Sequence, residues 1–277
     1  MRMTKLPSGE SAPVLGQGTW GMGEKPENKA TEIDAIRFAL DLHMSVIDTA
    51  EMYGNGASEE LVGKAITGRR SKAFVVSKIL PQHATREGTI AACERSLHRL
   101  ATDRIDLYLL HWRGQVPLQE TLEAFDDLVR TGKIRYWGVS NFDVSEMEQL
   151  AGLSNGGAVT TDQVLYNLMR RGIEYDLLPW CDKRNIPVMA YSPFEQGRLL
   201  DRPVLKHIAD EYVATPAQIA LAWVLRRDRI IAVPKAASPG HVKANRIALD
   251  IPLSDDDFAE LDRAFPPPTE KRPLEVI

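Results

Sequence analysis

Four residues in the first part of the chain have the types needed to protonate an oxygen atom on a substrate: Asp48, Tyr53, Lys78 and His111. A tyrosine has an ordinary pKa of about 10 and alone does not readily give up its proton near neutrality. A neighbouring lysine ammonium stabilises the phenolate and lowers that pKa. A carboxylate beside the lysine keeps it charged and oriented, and a neutral histidine can hydrogen-bond a carbonyl oxygen. Tyr53 as acid, Lys78 and Asp48 as tuners and His111 as positioner therefore suit protonation of a carbonyl group during its reduction. Acid catalysis of this kind contributes about 10²–10⁴-fold. No side chain of the set can supply a hydride, so the reductant has to be a hydride-carrying cofactor.

Such a set works only if the fold brings distant segments to one place. Short apolar runs that read as strands alternate with amphipathic helical stretches along the chain. The runs begin near residues 46, 74, 105, 134, 160 and 187, and their steps of 28, 31, 29, 26 and 27 residues match one strand–helix unit. Adding Leu15–Thr19 and Ile230–Val233 gives eight units in one unbroken series, which predicts an α/β fold, a closed (β/α)8 TIM barrel, as a single domain over residues 1–277. Met3–Val14, with its Ser8-Gly9-Glu10 turn, predicts an added N-terminal β-hairpin. The clearest helix start is Thr215-Pro216-Ala217-Gln218, a capping box with proline at the first helical position. Ser58 is expected to cap the helix near Glu59–Thr67, with Gly68 stopping it, and Leu118, Leu122, Phe125 and Val129 mark the buried face of another helix. The longest insert, Pro193–Ala214, is a candidate loop over the barrel mouth, and Pro266-Pro267-Pro268 should end helical structure.

In an eight-fold barrel the carboxyl ends of the strands form the active-site mouth. Asp48, Lys78, His111, Ser140-Asn141, Gln163 and Tyr191 each fall at such an end, one group per successive strand. Any one of them alone is usually just a hydrogen-bonded strand end, but their joint occurrence points to a site. Two other oxidoreductase signatures fail. Gly16-Gln17-Gly18-Thr19-Trp20-Gly21 matches the glycine fingerprint of dinucleotide-binding folds, yet no helix starts at those glycines; the next begins only around residue 29. None of the seven tyrosines has a lysine four residues later, as the short-chain dehydrogenase signature requires.

Composition excludes other classes. A net charge of −4 gives no global pull toward nucleic acid or an anionic membrane. No apolar run approaches the roughly 20 residues that span a bilayer, and the start lacks the apolar core of a signal peptide. With only Cys93 and Cys181, no disulfide framework is expected, and no histidine has ligand spacing, so no metal is expected either. The expectation is a cytoplasmic monomer whose partner is a small carbonyl compound, with neither nucleic acid nor membrane.

The motifs resemble those of the aldo-keto reductase family over nearly the whole chain. They are Ile47-Asp48-Thr49-Ala50-Glu51-Met52-Tyr53-Gly54, Val76-Ser77-Lys78, Tyr108-Leu109-Leu110-His111-Trp112, Gly138-Val139-Ser140-Asn141-Phe142, Gln163-Val164 with Tyr166-Asn167, Ala190-Tyr191-Ser192-Pro193 and Val233-Pro234-Lys235. Gly172-Ile173-Glu174-Tyr175-Asp176 and Pro234-Lys235-Ala236-Ala237 are most similar to the bacterial branch that reduces methylglyoxal and related small aldehydes. The resemblance implies hydride transfer from NADPH to a carbonyl carbon, with Asp48, Tyr53, Lys78 and His111 as the catalytic tetrad. It implies that Ser140, Asn141 and Gln163 bind the nicotinamide carboxamide and that Tyr191 stacks on the nicotinamide ring. It sets Ser192 and Pro193 at the pyrophosphate, and Pro234, Lys235, His241 and Asn245 at the adenosine end. Thr19, Trp20 and Asp48 fall along the cofactor, and Trp20, Tyr53, His111 and Trp112 border the substrate.

The chain departs from the family pattern where a serine and an arginine often stand: it has Ala236 and His241. Losing a planar guanidinium fork weakens a grip on the 2′-phosphate, so NADPH is expected to be preferred over NADH, with less discrimination than in arginine-bearing members. The family's long carboxyl-terminal loop looks truncated, which predicts an open, permissive pocket. Arg113 could meet an anionic substrate but reads more simply as a solvent-facing arginine. Two alternatives stay open: a barrel lyase that uses Lys78 as a Schiff-base amine, and a non-catalytic NADP(H)-binding regulatory protein.

Overall fold

The computed structural model describes residues 1–277. The chain opens with an antiparallel pair, β1 (Met3–Lys5) and β2 (Ser11–Pro13). Eight parallel strands follow in chain order: β3 (Gln17–Gly18), β4 (Val46–Asp48), β5 (Phe74–Ile79), β6 (Ile105–Leu110), β7 (Ile134–Ser140), β8 (Asp162–Leu165), β9 (Val188–Tyr191) and β10 (Ile230–Ala232). Each pairs with its sequence neighbours, as right-handed strand–helix–strand units require. Parallel bridges Leu15–Ala232 and Gly18–Lys235 join the two edges, so the sheet closes into a barrel.

That closure explains the glycine-rich start. A Cβ on Gly18 would meet the Val233 carbonyl oxygen at 2.6 Å, and one on Gly16 would meet the Val46 carbonyl oxygen at 2.6 Å. Gly18 lets backbones approach where the barrel closes and Gly16 does so beside β4, while the first α-helix, α1 (Lys29–Asp41), begins eleven positions after Gly18.

The ring around the barrel continues with α2 (Ala57–Ile66), α3 (Arg86–Leu100), α4 (Leu118–Arg130), α5 (Val144–Ala151) and α6 (Leu177–Lys183). It finishes with α7 (Pro203–Glu211), α8 (Pro216–Val224), α9 (Pro239–Ala248) and α10 (Asp255–Ala264). Helix α9 packs on α1 and completes the ring. A continuous apolar core fills the space between strands and helices, and a separate inner cluster fills the barrel. Leu6 and Ala12 of the hairpin join that inner cluster with Val76, Leu107 and Ile231, so the hairpin plugs the amino end and leaves the carboxyl end open.

The capping box at Thr215 forms as the sequence predicts, with the Thr215 N–H donating to Gln218 Oε1. Other local expectations need correction. The residue that caps α2 is Gly56, in a left-handed conformation, and not Ser58. The Ser58 hydroxyl instead donates to Thr19 Oγ1 at 2.7 Å, tying the helix to the strand ends. Val129 of α4 is exposed, and Leu128 is the buried residue of that turn. The 193–214 insert is only half a loop, because α7 occupies its second part. No helix is long and apolar enough to cross a membrane.

Candidate active site

A cavity of about 800 Å³ opens at the carboxyl ends of the strands. Asp48 at the end of β4, His111 just past β6, Ser140 and Asn141 at the end of β7, Gln163 of β8 and Tyr191 of β9 all line it, as do Thr19 and Trp20 after β3. Tyr53 and Trp112 line it from loops, together with Ser192, Pro193 and Lys235. The structure does not place every expected residue there. Lys78 lies behind Asp48, fully buried, while Pro234, His241 and Asn245 sit off the cavity. His241 is exposed in the first turn of α9, where its N–H meets the Ser238 hydroxyl, and Asn245 is buried one turn further on.

The polar groups form a closed network around one buried cation. Lys78 Nζ meets Asp48 Oδ1 at 2.8 Å and Oδ2 at 2.9 Å, the Thr49 carbonyl at 2.9 Å and the Tyr53 hydroxyl oxygen at 3.2 Å. An ammonium has three donors, and the Asp48 carboxylate, Thr49 and Tyr53 use all three. The Tyr53 oxygen is therefore an acceptor toward Lys78, and its own proton must point elsewhere. Burial by itself would lower the Lys78 pKa, but Asp48 and Tyr53 outweigh it and hold the ammonium above its ordinary value.

The expectation that Lys78 leaves Tyr53 with a lowered pKa is corrected. Lys78 does pull the phenol down, but burial outweighs it and the net direction is upward. Tyr53 thus keeps its proton near neutral pH. His111 is pushed down to about 3 by burial and by the Lys78 charge, so its ring is neutral at any ordinary pH. Its Nδ1 is buried without a partner. The Tyr53 and His111 rings meet edge to face at 5.9 Å, and Trp112 lies against His111 at 4.8 Å.

The amide cluster is partly spoken for by the protein. Gln163 Nε2 donates to Asp48 Oδ1 at 2.8 Å, and Asn141 Nδ2 donates to the His111 carbonyl and to Ser140 Oγ, both at 3.1 Å. Asn141 Oδ1 accepts from the Tyr191 hydroxyl at 2.9 Å. Asn141, Ser192 and Gln196 all adopt positive φ at this rim, the kind of backbone strain that clusters at functional sites.

Sequence reasoning missed part of the wall. Val276 and Ile277 line the cavity, so the tail, expected to leave the pocket open, returns to its rim. Arg170 makes this possible. It donates to Glu275 at 2.6 Å and to Glu195 at 2.8 and 3.0 Å, joining the tail to the loop after β9. Met52, Phe194 and Leu200 add further apolar wall. The segment from 265 onward has no periodic structure, so no pattern announced where it would lie.

The donor set fits a nicotinamide dinucleotide. Gln163 Oε1 makes no hydrogen bond within the chain, Lys235 meets no carboxylate, and Asn245 Nδ2 is buried without a partner. The cavity joins the first two with an aromatic ring, Tyr191, at its side. By contrast, the structure removes the support for a Schiff-base lysine. Lys78 is charged, clamped on three sides and outside the cavity lining, whereas imine formation needs a neutral, accessible amine.

A closed barrel with this polar cluster at its mouth fits an oxidoreductase, and comparison with known proteins places it. Residues 14–265 match the aldo/keto reductase family, and the chain belongs to that family. It is 47% identical over 281 residues to methylglyoxal reductase YeaE of Escherichia coli, covering 100% of this chain and 99% of that protein. Glyoxal reductase of Bacillus subtilis is 34% identical over 261 residues, covering 93% and 91%. A Klebsiella pneumoniae aldo-keto reductase solved in complex with NADPH superposes with a TM-score of 0.98 at 48% identity, covering 100% of this chain and 99% of that one.

Proposed function

We propose that the protein reduces aldehydes and ketones to alcohols with NADPH, taking methylglyoxal and similar small carbonyls and also aromatic aldehydes, with Tyr53 as the proton donor. The observation that carries the mechanism is the saturated Lys78 ammonium, which leaves the Tyr53 proton free for a group in the cavity. When bound, NADPH supplies the hydride that adds to the carbonyl carbon.

The chain's own residues do the rest. Ser140, Asn141 and Gln163 would hold the carboxamide, and Tyr191 would support the ring. Ser192 and Pro193 would meet the pyrophosphate, and Lys235 would face the adenosine phosphate, with His241 and Asn245 beyond it. Neutral His111 donates a hydrogen bond to the carbonyl oxygen. Because its Nδ1 has no partner, the tautomer protonated on Nε2 keeps the single N–H away from the orphaned nitrogen. The O–H of Tyr53 passes its proton to the same oxygen, and Lys78 stabilises the phenolate left behind. Trp20 and Trp112 flank the substrate. All these groups come from one chain, so a single barrel suffices.

The test is NADPH oxidation over methylglyoxal, aromatic aldehydes, sugars and keto acids, repeated with NADH. Tyr53→Phe should lower kcat by about 10²–10⁴-fold while NADPH binding persists. Full turnover in that variant contradicts the mechanism, and binding of NADPH without oxidation across the panel would favour the regulatory reading instead.

A further inference from the structure

Two cations line the cavity without a carboxylate partner, and the reductase reading uses only Lys235. The other is Arg113, on the loop after β6 and two residues past His111. It is half-buried, and its Nη1 donates to the carbonyls of Gly114 and Val116, both at 2.9 Å. Those two bonds fix the guanidinium against its own loop. They engage only one of its three nitrogens; Nε and Nη2 meet no protein acceptor. Arg170, Arg171 and Arg226, by contrast, each reach a carboxylate within 3 Å.

The two acidic side chains that line the cavity are engaged elsewhere. Asp48 is held by Lys78 and Gln163. Glu146 also lines the cavity, but its Oε2 accepts from the Asp143 N–H at 3.0 Å in the capping box of α5, and it makes no ion pair with Arg113. A half-buried guanidinium that is oriented by carbonyls and has a free donor edge matches a carboxylate, which it can grip with two parallel bonds. Two residues of chain separate its Cα from that of His111 by at most about 7 Å. Trp20, Met52 and Trp112 give the same cavity apolar wall.

We propose that Arg113 recognises a substrate carboxylate, and that the enzyme prefers aldehydes bearing a carboxylate a few carbons from the carbonyl, with an apolar or aromatic segment between. The proposal rests on the carbonyl-reductase reading. It makes neutral methylglyoxal a poorer substrate than an oxo acid of that shape.

The test compares 4-carboxybenzaldehyde with its neutral isostere 4-formylbenzamide. kcat/KM is measured for the wild type, Arg113→Gln and Arg113→Lys. The wild type should favour the carboxylate, and Arg113→Gln should cut the acid-to-amide ratio about 10–100-fold, the usual span for a hydrogen bond to a charged group, mostly through KM. Arg113→Lys should keep part of the preference, since it retains the charge but loses the fork. A second readout is independent of turnover and of any variant's folding. Quenching of tryptophan fluorescence by 4-(hydroxymethyl)benzoate in the wild-type complex with NADP+ should weaken as salt is raised, whereas binding of 4-(hydroxymethyl)benzamide should not. An unchanged ratio in Arg113→Gln, or equal salt response of acid and amide, overturns the proposal while the reductase reading stands. If the wild type reduces neither aldehyde nor any other carbonyl, the reductase reading itself fails and takes this proposal with it.

Discussion

Replacing Asp48 by asparagine keeps the shape of the site and removes the one negative charge that Lys78 touches. Lys78 is wholly inaccessible, and its Nζ lies 2.8 and 2.9 Å from the two Asp48 oxygens. Asparagine retains one oxygen, enough to accept from Gln163 Nε2, but it turns an amide donor toward the ammonium. Breaking a buried pair by removing one partner costs about 3–5 kcal/mol, because an uncompensated charge stays inside. The lysine has one escape, to lose its proton. From an ordinary pKa of 10.5, neutralising it at pH 7 costs about 1.36 kcal/mol for each of roughly 3.5 units, near 5 kcal/mol. The two routes are therefore comparable at pH 7, and the stability deficit should lie at about 3–5 kcal/mol. The pH dependence gives a signed check. In the wild type the folded pKa of Lys78 is raised, so its contribution is fully present below the unfolded value of 10.5 and is lost only as pH climbs through the folded value. In the variant a neutral lysine becomes easier to accommodate as pH rises, so the deficit should shrink between pH 7 and pH 10. Urea unfolding at both pH values measures this. The double variant Asp48→Asn/Lys78→Met removes both charges and should regain most of the lost stability while remaining inactive. A single variant as stable as the wild type, or a double variant no more stable than the single, would refute the claim that Asp48 holds a buried charge in place.

Other outcomes follow from the same geometry. His111, held at about 3, should contribute no inflection to kcat/KM between pH 5 and 8; a step near pH 6.5 that vanishes in His111→Gln would show that the ring titrates. Because its folded pKa lies below the unfolded 6.5, the stability linked to His111 is present above pH 6.5 and falls as pH drops toward 3, which acid unfolding with and without the histidine can read. Lys235→Gln should raise the KM for NADPH about tenfold and leave that for NADH nearly unchanged, with the difference fading at high salt; equal effects on both cofactors would place the lysine away from the 2′-phosphate. Arg170→Ala should release residues 272–277, seen as faster amide exchange there, and raise the substrate KM roughly 2–5-fold, the scale of an ion pair partly open to water; unchanged exchange would mean the tail is held by its apolar contacts alone.

The sequence exposed the parts of this molecule that repeat. Strand starts expected near 46, 74, 105 and 134 are where β4, β5, β6 and β7 begin, because a buried parallel strand has to be an apolar run of fixed length and its spacing is set by the helix that returns the chain. The gathering of Asp48, Lys78 and His111 was legible for the same reason, since each strand's carboxyl end has a defined place at the mouth. What stayed hidden depends on conformation without a period. Ser58 stands where a capping serine would, but Gly56 could take the left-handed turn that no Cβ favours, and so the helix starts earlier and the hydroxyl is left to bind Thr19. Val129 keeps the apolar spacing of α4, yet the ring of neighbouring helices buries Leu128 instead.

Neither the place of the tail nor the setting of Arg113 was legible in the sequence. Residues after Pro266 lack periodicity and so announce no wall; Arg113 has no partner legible in sequence, and its type alone allows either an anionic substrate or solvent. The tail is fixed by a contact far away in the chain, whereas Arg113 is held by carbonyls of its own loop. Arg170 reaches 105 positions forward to Glu275 and, from the same guanidinium, 25 positions to a Glu195 that is itself wholly buried. An acid buried that deeply must be neutralised, and with Arg170 and Arg198 both on Glu195 the loop after β9 has a fixed anchor. The tail borrows that anchor, which puts Val276 and Ile277 at the rim. Arg113 makes no ion pair with the chain, and in our proposal its charge serves a carboxylate that enters the cavity. The contrast between an arginine whose charge is consumed in building the wall and one whose charge is left facing the space the wall encloses is invisible in composition, where both are one basic residue in a chain of net charge −4. If Arg113 grips a carboxylate as proposed, the choice of substrate turns on charge as well as on pocket size.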